Sequence, residues 1–161
     1  MLHKGTVPLE TSRLILRAFR ASDTSAMFHN WASDEKVTEF LRWPAHKSVE
    51  TTEKVLKNWT EAYAKPDFYQ WAIVLKENED GPIGTISVVG QNDRLKMVHI
   101  GYALGRPWWN RGIMSEAFSK IIAFFFEEVK ANRIESQHDP NNPASGRVMV
   151  KCGLQYEGTL R

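Results

Sequence analysis

The stretch Gly101–Phe118, GYALGRPWWNRGIMSEAF, places a tight polar turn between a predicted strand and the most apolar predicted helix of the chain. The strand pattern ends at Leu104, and apolar residues at helical spacing begin after Arg111. The first amides of a helix have no partner inside it, and together with the helix dipole they form a site for anions. Gly112 lacks a Cβ, so it lets a bulky anion approach these amides. The turn therefore predicts either a phosphate-binding site or a helix start that is covered only by water.

Two arginines, Arg106 and Arg111, add positive charge near this turn and favour the anion site. Two well-known phosphate-binding patterns are excluded, because neither G-x-x-x-x-G-K-[ST] nor G-x-G-x-x-G occurs in the chain. Glu116 is assigned to the solvated face or the first turn of the same helix. The residues alone therefore predict a phosphate-sized ligand without naming the molecule that carries it.

The composition of the chain is typical of one globular domain, which we predict to span residues 1–161. Apolar residues make up 42% and charged residues 25% of the chain, as expected for a single buried core. The longest apolar run, Ile121–Phe126, is far shorter than the roughly 18 to 20 residues that a membrane span needs. Met1–Arg13 carries no apolar stretch followed by a small-residue cleavage site. We therefore predict a cytoplasmic protein with no membrane partner.

Two features of the composition exclude particular kinds of site. The single cysteine, Cys152, excludes an internal disulfide and a cysteine-based zinc site, and we predict no metal. The formal net charge of +2 is small, whereas nucleic-acid-binding proteins concentrate basic residues. We therefore predict no nucleic-acid partner.

Predicted strands and helices alternate along the chain in the manner of an α/β fold. Short polar turns between the three middle strands predict antiparallel neighbours, and the unit Lys96–His138 predicts a right-handed parallel crossover. Gly153 predicts the end of the last helix. In chain order the predicted elements are a strand Arg13–Phe19, a short helix capped by Ser22 or Asp23, a helix Ser48–Ala64, strands Tyr69–Leu75, Gly81–Gly90 and Lys96–Leu104, a helix Arg111–Val129, a strand Arg133–His138 and a helix within Asp139–Leu154.

Four segments of the chain resemble the GNAT superfamily of acyl-CoA-dependent N-acetyltransferases. They are HIGYALGRPWWNRGIMSEA at His99–Ala117, NNPASGRVMVKCGLQYEGTLR at Asn141–Arg161, LETSRLILRAF at Leu9–Phe19 and EFLRWPAHKS at Glu39–Ser48. Together they are similar to the branch that acetylates the N-terminal alanine or serine of ribosomal proteins. The resemblance implies a twisted, mostly antiparallel mixed sheet flanked by helices, in which two splayed parallel strands form the acyl-CoA cleft. It also implies acetyl-CoA as co-substrate and a protein N-terminal α-amine as acceptor.

The family binds the pyrophosphate of coenzyme A with a pattern written [Q/R or aromatic]-x-x-G-x-[G/A]. Met114 stands here in place of the last small residue, and we expect it to narrow the space near the phosphates. The resemblance implies that backbone amides from Arg111 to Ser115 hold the phosphates. The residues that fall on the pattern are Trp109, Asn110, Arg111, Gly112, Ile113 and Met114.

The strand before this pattern also has a role in the family. The resemblance implies that backbone groups around Tyr102, Ala103 and Leu104 pair with the pantetheine arm of the coenzyme like an added strand. A bulge at these residues would separate the strand from Arg133–His138 and admit the thioester. One amide between Tyr102 and Leu104 would face the oxyanion of the tetrahedral intermediate.

The family's Asn-x-x-Ser pattern falls on Asn142 and Ser145. By resemblance, Asn142 binds the pantetheine or the acceptor, and Ser145 lies near the thioester sulfur as proton donor to the departing thiolate. Many relatives carry a tyrosine acid four residues after this serine, but Met149 stands there. The resemblance therefore assigns the acid to Ser145 in this chain.

His99 stands just before Ile-Gly-Tyr, where relatives commonly carry a glutamate that acts as the base. A histidine titrates near neutral pH and can act as a base, but a strand histidine can equally be a packed, hydrogen-bonded residue. An N-terminal amine with a pKa near 7.7 to 8.0 is about one-tenth neutral at pH 7, whereas a lysine is almost fully charged. A weak base is therefore sufficient for an N-terminal acceptor.

Several alternatives stay open from the sequence. The acceptor can instead be a small amine such as a polyamine, an antibiotic or an amino acid. The missing glutamate and Met114 also fit an acyl-CoA-binding module without turnover. Stacking of Trp108 and Trp109 on nucleic-acid bases is opposed by the small net charge, and packing under the turn is favoured. Relatives usually continue beyond Arg161 into a further strand, so an exposed sheet edge favours a homodimer.

Overall fold

The computed structural model describes residues 1–160, and Arg161, the last residue of the predicted domain, lies outside them. One six-stranded sheet runs through the molecule, with its strands side by side in chain order. Every neighbouring pair is antiparallel except the last, which is parallel. The sheet confirms the predicted mixed, mostly antiparallel architecture. Its strands are β1 Leu9–Glu10, β2 Leu14–Ala18, β3 Gln70–Leu75, β4 Gly84–Asn92, β5 Met97–Leu104 and β6 Arg133–Glu135.

Helices cover both faces of this sheet. They are α1 Thr24–Met27, α2 Glu35–Thr38, α3 Val49–Ala62, α4 Ile113–Phe124 and α5 Pro143–Lys151. The helix predicted to begin at Arg111 starts at Ile113 instead, because Gly112 adopts a left-handed conformation. Beyond α4, Phe125–Val129 forms one π-helical turn. Gly153, with φ +93°, ends α5 as predicted.

Two kinds of feature do not occur within the part of the chain that the structure describes. No helix of residues 1–160 is long and apolar enough to span a membrane. The same residues contain no group of three or more histidine, cysteine, aspartate or glutamate side chains arranged to hold a metal ion.

The sheet separates two hydrophobic clusters. One lies between the sheet and α4 and includes Ile100 and Phe118, while the other lies against α1, α2 and α3 and includes Leu56 and Ala103. Side chains along a strand alternate between its two faces. His99 therefore shares a face with Ala103 and points toward the side of α1 to α3.

A β-bulge interrupts the pairing of β4 with β5. The register shifts on β4 between Val88 and Gly90, so Val89 is the extra residue, and Gly90 pairs with His99. The prediction of a bulge at Tyr102–Leu104 is wrong, because β5 pairs with β4 there without interruption. The irregularity lies instead in β4, the strand that pairs with β5, and it places a residue without a side chain, Gly90, opposite His99.

The two parallel strands, β5 and β6, separate soon after they meet. Their pairing ends with His99 and Glu135. The strand predicted to reach His138 therefore stops at Glu135, because backbone pairing gives way to one side-chain bond: the Ser136 hydroxyl donates to the Ile100 carbonyl at 2.6 Å. Beyond this bond a gap opens on the free side of β5, which confirms the predicted pair of splayed parallel strands.

Candidate functional site

The turn before α4 leaves three backbone amides without a partner. Its N-cap, Gly112, has φ +72° and ψ +8°, a left-handed conformation that favours glycine and provides no side chain to cap the helix. The first amide of α4 to bond within the chain is that of Glu116, which donates to the Gly112 carbonyl at 3.0 Å. The amides of Ile113, Met114 and Ser115 have no acceptor among residues 1–160. These amides and the open approach past Gly112 fit a phosphate group.

The side chain of Met114 takes no space from this turn. It is 6% exposed and packs in the cluster between the sheet and α4. The expected narrowing near the phosphates is therefore wrong, because the side chain points into the core while its amide stays at the turn.

Two cationic side chains approach the turn from elements that are distant in sequence. A Cβ atom placed on Gly112 would lie 3.6 Å from Arg13 Nη2 and 3.6 Å from Lys151 Nζ. Of the two arginines predicted near the turn, Arg106 is instead paired with Asp34, whose Oδ2 lies 2.5 Å from its Nε. No local pattern marks Arg13 or Lys151, because only the folding of β2 and α5 around α4 brings them together.

Arg13 also ties the turn to the start of β2. Its guanidinium donates to the Arg111 carbonyl at 2.9 Å and to Glu116 Oε1 at 2.7 Å. The other carboxylate oxygen of Glu116 accepts from the Arg13 amide at 3.0 Å and from the Thr11 hydroxyl at 2.5 Å. Burial by itself would raise the pKa of Glu116, but these hydrogen bonds outweigh it and hold the pKa below its ordinary value. Of the two predicted positions for Glu116, the first turn of α4 is therefore the correct one, and its side chain anchors the turn.

Backbone groups of β5 alternate between β4 and the gap. The Gly105 amide donates to the Ile83 carbonyl at 2.9 Å, so the alternate residues Ala103 and Gly101 also face β4. Tyr102 lies between them and directs its amide and carbonyl to the opposite side. Of the residues predicted to line the gap with backbone groups, Ala103 is therefore turned away from it.

Side chains cover part of the gap side of β5. The Ile100 carbonyl accepts from Ser136, and the Leu104 carbonyl accepts from Trp109 Nε1 at 2.7 Å. By the same alternation, the two backbone groups of Tyr102 and the amide of Leu104 point into the gap. This row of groups is an unpaired strand edge of the kind to which an extended ligand can add.

The two tryptophans of the turn have different surroundings. Trp108 packs against the α4 cluster and lies over Gly105, as the packing prediction requires. Trp109 is 42% exposed, and its polar edge is held by the Leu104 carbonyl.

The hydroxyl groups of Tyr102 and Ser145 meet between β5 and α5. Tyr102 Oη donates to the Ser145 carbonyl at 2.8 Å and accepts from Ser145 Oγ at 3.0 Å. Burial raises the pKa of Tyr102 to about 12, so the phenol stays protonated at neutral pH. Met149 is buried in the core. The phenol therefore reaches the start of α5 from a strand, a contact of the Tyr102 side chain that no local sequence pattern predicts.

Asn142 lies directly before Ser145's helix as the N-cap of α5. The Asn142 side chain makes no capping hydrogen bond, whereas its backbone amide donates to the Asp139 carbonyl at 2.8 Å. Pro143 occupies the first helical position, where its missing N–H costs nothing. The Asn142 side chain is thus not used to cap the helix, and Asn142 lies at the same end of α5 as Ser145.

His99 contacts Glu135 at the point where β5 and β6 part. His99 Nδ1 lies 3.1 Å from Glu135 Oε1, and 16% and 34% of the two side-chain surfaces are exposed. His99 lies on the opposite face of β5 from the side chain of Tyr102. Glu135 was not chosen from the sequence, because it is 36 residues away and belongs to no local pattern.

Comparison with known proteins gives one family. The chain matches the model of the acetyltransferase (GNAT) domain over residues 13–155. It is 31% identical over 153 residues to the Bacillus subtilis protein named uncharacterized N-acetyltransferase YoaA, covering 95% of this chain and 85% of that protein. It is 30% identical over 60 residues to the ribosomal protein uS5 alanine N-acetyltransferase of Escherichia coli, covering 37% of this chain and 31% of that protein.

Solved structures show the same fold. The ribosomal-protein-S5-alanine acetyltransferase of Vibrio fischeri superposes with a TM-score of 0.80 at 22% identity, covering 94% of this chain and 85% of its own. RimL, a ribosomal L7/L12 α-N-protein acetyltransferase solved in complex with coenzyme A, superposes with a TM-score of 0.82 at 20% identity, covering 94% and 86%.

Proposed function

This chain belongs to the GNAT acetyltransferase family and is an N-acetyltransferase, and we propose that it transfers the acetyl group of acetyl-CoA to the N-terminal α-amine of a protein. The amine attacks the thioester directly while both substrates are bound, without a covalent enzyme intermediate. The observation that carries the proposal is the uncapped start of α4, where unpartnered amides lie beside two cationic side chains.

The proposed donor site begins at this turn. The amides from Arg111 to Ser115 hold the pyrophosphate of acetyl-CoA, and the turn Trp109–Met114 shapes the site around it. Lys151 supplies positive charge near the position that a Cβ of residue 112 would take, and Arg13, whose charge is balanced by Glu116, offers Nη2 there as a hydrogen-bond donor. RimL, which has the same fold, binds coenzyme A.

The pantetheine arm of the donor then follows the free edge of β5. Tyr102 offers an amide and a carbonyl to it, Leu104 offers an amide, and Asn142 offers its side chain. An extended chain that adds to such an edge is aligned by these backbone groups. The thioester thereby reaches the region between His99 and Ser145, where β5 parts from β6.

The transfer needs an oxyanion donor, a base for the amine and an acid for the thiolate. The Tyr102 or Leu104 amide stabilises the oxyanion that forms as the nitrogen bonds to the carbonyl carbon. When the carbon–sulfur bond breaks, Ser145 gives its proton to the thiolate. The Tyr102 phenol, still protonated at neutral pH, then gives a proton to Ser145 and takes one up from solvent. The proton lost by the amine leaves through His99 or water.

An N-terminal acceptor is supported by acid–base arithmetic and by the relatives. An α-amine is neutral in about one molecule in ten at pH 7, so a histidine or a water suffices as base. The Escherichia coli and Vibrio fischeri relatives act on ribosomal-protein alanine. Such an acceptor would place the reaction in the cytoplasm, and the mass of the protein in solution tests the predicted homodimer.

The experiment that tests the proposal compares three acceptors with the same donor. The acceptors are a peptide with a free N-terminal alanine or serine and one internal lysine, the same peptide with a blocked N-terminus, and spermidine. Release of the coenzyme A thiol measures turnover, and mass spectrometry locates the acetyl group. We expect acetylation of the free peptide at its N-terminus and no acetylation of the blocked peptide.

Other results select the alternatives. Turnover with spermidine but with neither peptide indicates a small-amine acetyltransferase. Acetyl-CoA binding without any acetylated product, across the panel, contradicts the proposed enzyme and leaves an acyl-CoA-binding module.

A further inference from the structure

We propose that Glu135 is the positioning residue that makes His99 the base of this acetyl transfer, by fixing which ring nitrogen of His99 carries the proton. The inference rests on the proposed function for its chemistry. Its structural basis is the contact of 3.1 Å between His99 Nδ1 and Glu135 Oε1.

The acceptor character of Glu135 decides the tautomer of His99. Oε2 of Glu135 already accepts a hydrogen bond from Arg133 Nε at 3.2 Å, and a carboxylate in such a pair can only accept. The proton between His99 and Glu135 must therefore reside on Nδ1. In a neutral imidazole this leaves Nε2 with a free lone pair, which is the form required of a base.

The second ring nitrogen is reachable from outside the protein. Within residues 1–160 the single buried side-chain nitrogen or oxygen without a partner is Trp31 Nε1. His99 Nε2 has no hydrogen-bond partner in the described chain either, yet it is not among these buried atoms, so at least part of its surface is accessible to solvent. A histidine with a fully buried Nε2 could not accept a proton from a substrate.

The bulge on β4 determines which residue lies opposite His99. It sets Gly90 opposite His99, and a Cβ on Gly90 would already lie 3.6 Å from His99 Cβ. Without the extra residue, the side chain of Val89 would occupy the paired position. The side chain of Val89 lies over Gly101 instead, where an added Cβ would meet Val89 Cγ1 at 3.0 Å.

The charged groups around the pair are few and come from two elements. Arg133 of β6 bonds to Glu135, and Glu157 of the C-terminal segment bonds to Arg133 at 2.7 Å. The opposing strand β4 contributes the uncharged Gly90 at this level. Glu135 is thus the acid in direct contact with His99, while Glu157 accepts from Arg133 Nη1 and Nη2 and does not contact His99.

The chemical step is an acyl transfer without oxidation or reduction, in which His99 takes the proton lost by the amine and Ser145 protonates the departing thiolate. As the nitrogen–carbon bond forms, His99 Nε2 takes a proton from the amine, directly or through a water. The carbon–sulfur bond breaks with its electron pair on sulfur, and the imidazolium returns its proton to solvent. Glu135 stays ionised and holds the ring, in the way that a buried acid orients the histidine of a catalytic triad.

The first test needs no enzymatic activity. Nitrogen NMR of the imidazole in the wild-type protein, with histidine labelled by ¹⁵N and assigned by the His99→Gln variant, reads the tautomer directly. We expect the neutral imidazole of the wild-type protein in the Nδ1–H form and a mixture of forms in Glu135→Gln. An Nε2–H form in the wild-type protein overturns the proposal.

The second test uses kinetics with the acceptor peptide identified above. We expect Glu135→Gln to lower kcat/KM about 10- to 100-fold, the lower range of general-base catalysis, with unchanged acetyl-CoA affinity. In the His99→Gln background, Glu135→Gln should have no further effect, because it acts through His99. Glu157→Gln is the matched control, since it removes the other carboxylate on Arg133 and should leave the rate unchanged.

The outcomes separate the two proposals. A wild-type protein that acetylates no amine contradicts the proposed function. The tautomer measurement still tests whether Glu135 fixes the proton on His99 Nδ1. Equal rates for Glu135→Gln and Glu157→Gln, or a full additional loss in the double variant, overturn the role of Glu135 while transfer itself stands. If Glu135→Gln folds poorly, the wild-type tautomer remains decisive.

Discussion

The two ends of the proposed donor site use different chemical groups, backbone amides at one end and side chains at the other. At the start of α4 the binding groups are backbone amides, presented by a glycine turn that is continuous in sequence. At the joint of β5 and β6 the groups are side chains that meet in pairs, His99 with Glu135 and Tyr102 with Ser145, across 36 and 43 residues of chain. The first end should govern affinity for the donor and the second the rate of transfer, so substitutions should affect one quantity at a time.

The largest effect is expected at the chemical end. Ser145→Ala removes the proposed proton donor and should lower kcat about 100-fold, within the usual range for general acid catalysis. The dissociation constant of acetyl-CoA should stay within about twofold, because the turn before α4 is untouched. Single-turnover kinetics and calorimetric titration measure the two quantities. An unchanged rate removes Ser145 from the mechanism.

Next in size is a substitution at the backbone end. Gly112→Ala places a methyl group where the anion approaches and should weaken acetyl-CoA binding about tenfold or more, while kcat at saturation changes little. A left-handed alanine also costs about 1 to 2 kcal/mol of stability. Calorimetric titration measures the affinity.

Gly153→Ala is the matched control for this change. Gly153 has φ +93° and open space around its missing Cβ, so an alanine there carries a comparable backbone cost without placing a methyl group at the turn. We expect equal destabilisation in both variants and normal acetyl-CoA affinity in Gly153→Ala. Equal affinities in the two variants would contradict the proposed location of the phosphates.

A smaller effect distinguishes the cations of the turn. Lys151→Gln should weaken acetyl-CoA binding about two- to fivefold at low salt, and the difference should shrink as salt screens the charge. Arg106→Gln should leave the affinity unchanged, because Arg106 is paired with Asp34. Titrations at two ionic strengths test both statements, and the reverse order would show that the wrong cation was chosen.

The smallest effect concerns the anchor of the turn and depends on pH. The hydrogen bonds that lower the pKa of Glu116 stabilise the folded state above its ordinary pKa, and this stabilisation is lost as the pH falls through the lowered value. The difference in unfolding free energy between the wild-type protein and Glu116→Gln should therefore be full at pH 7 and shrink below about pH 4. Denaturant unfolding at both pH values measures it. Glu127→Gln, on an exposed residue, should show no such dependence.

Elements with a strong local pattern were predicted well from the sequence. The helix after Gly112, the glycine that ends α5 and the antiparallel middle strands follow from spacing and turn residues, and the structure confirms them. Predicted and observed element boundaries differ where a backbone conformation sets the boundary. Gly112 is left-handed, so α4 starts after it. β6 is shorter than predicted, because its side-chain pattern continues while its pairing does not.

The parts of the site that could not be predicted depend on contacts between distant segments. Arg13 and Glu116 are joined by the packing of β2 on α4, and nothing near either residue indicates it. The bulge was expected on β5 but lies on β4, because the resemblance indicates that an irregularity exists without telling which strand absorbs the extra residue. Alternation along β5 could have been predicted, but its phase, which turns Ala103 away from the gap, is set by the pairing of Gly105 with Ile83.

The short joint of β5 with β6 has a consequence for motion. Three residue pairs hold β6 to the sheet, whereas β4 and β5 share eight. Segments with few pairings open most easily in native proteins, so amide hydrogens of β6 should exchange with solvent well before those of β3 and β4. A donor lodged in the gap would act as the missing strand and slow this exchange, so that filling the cleft also completes the sheet.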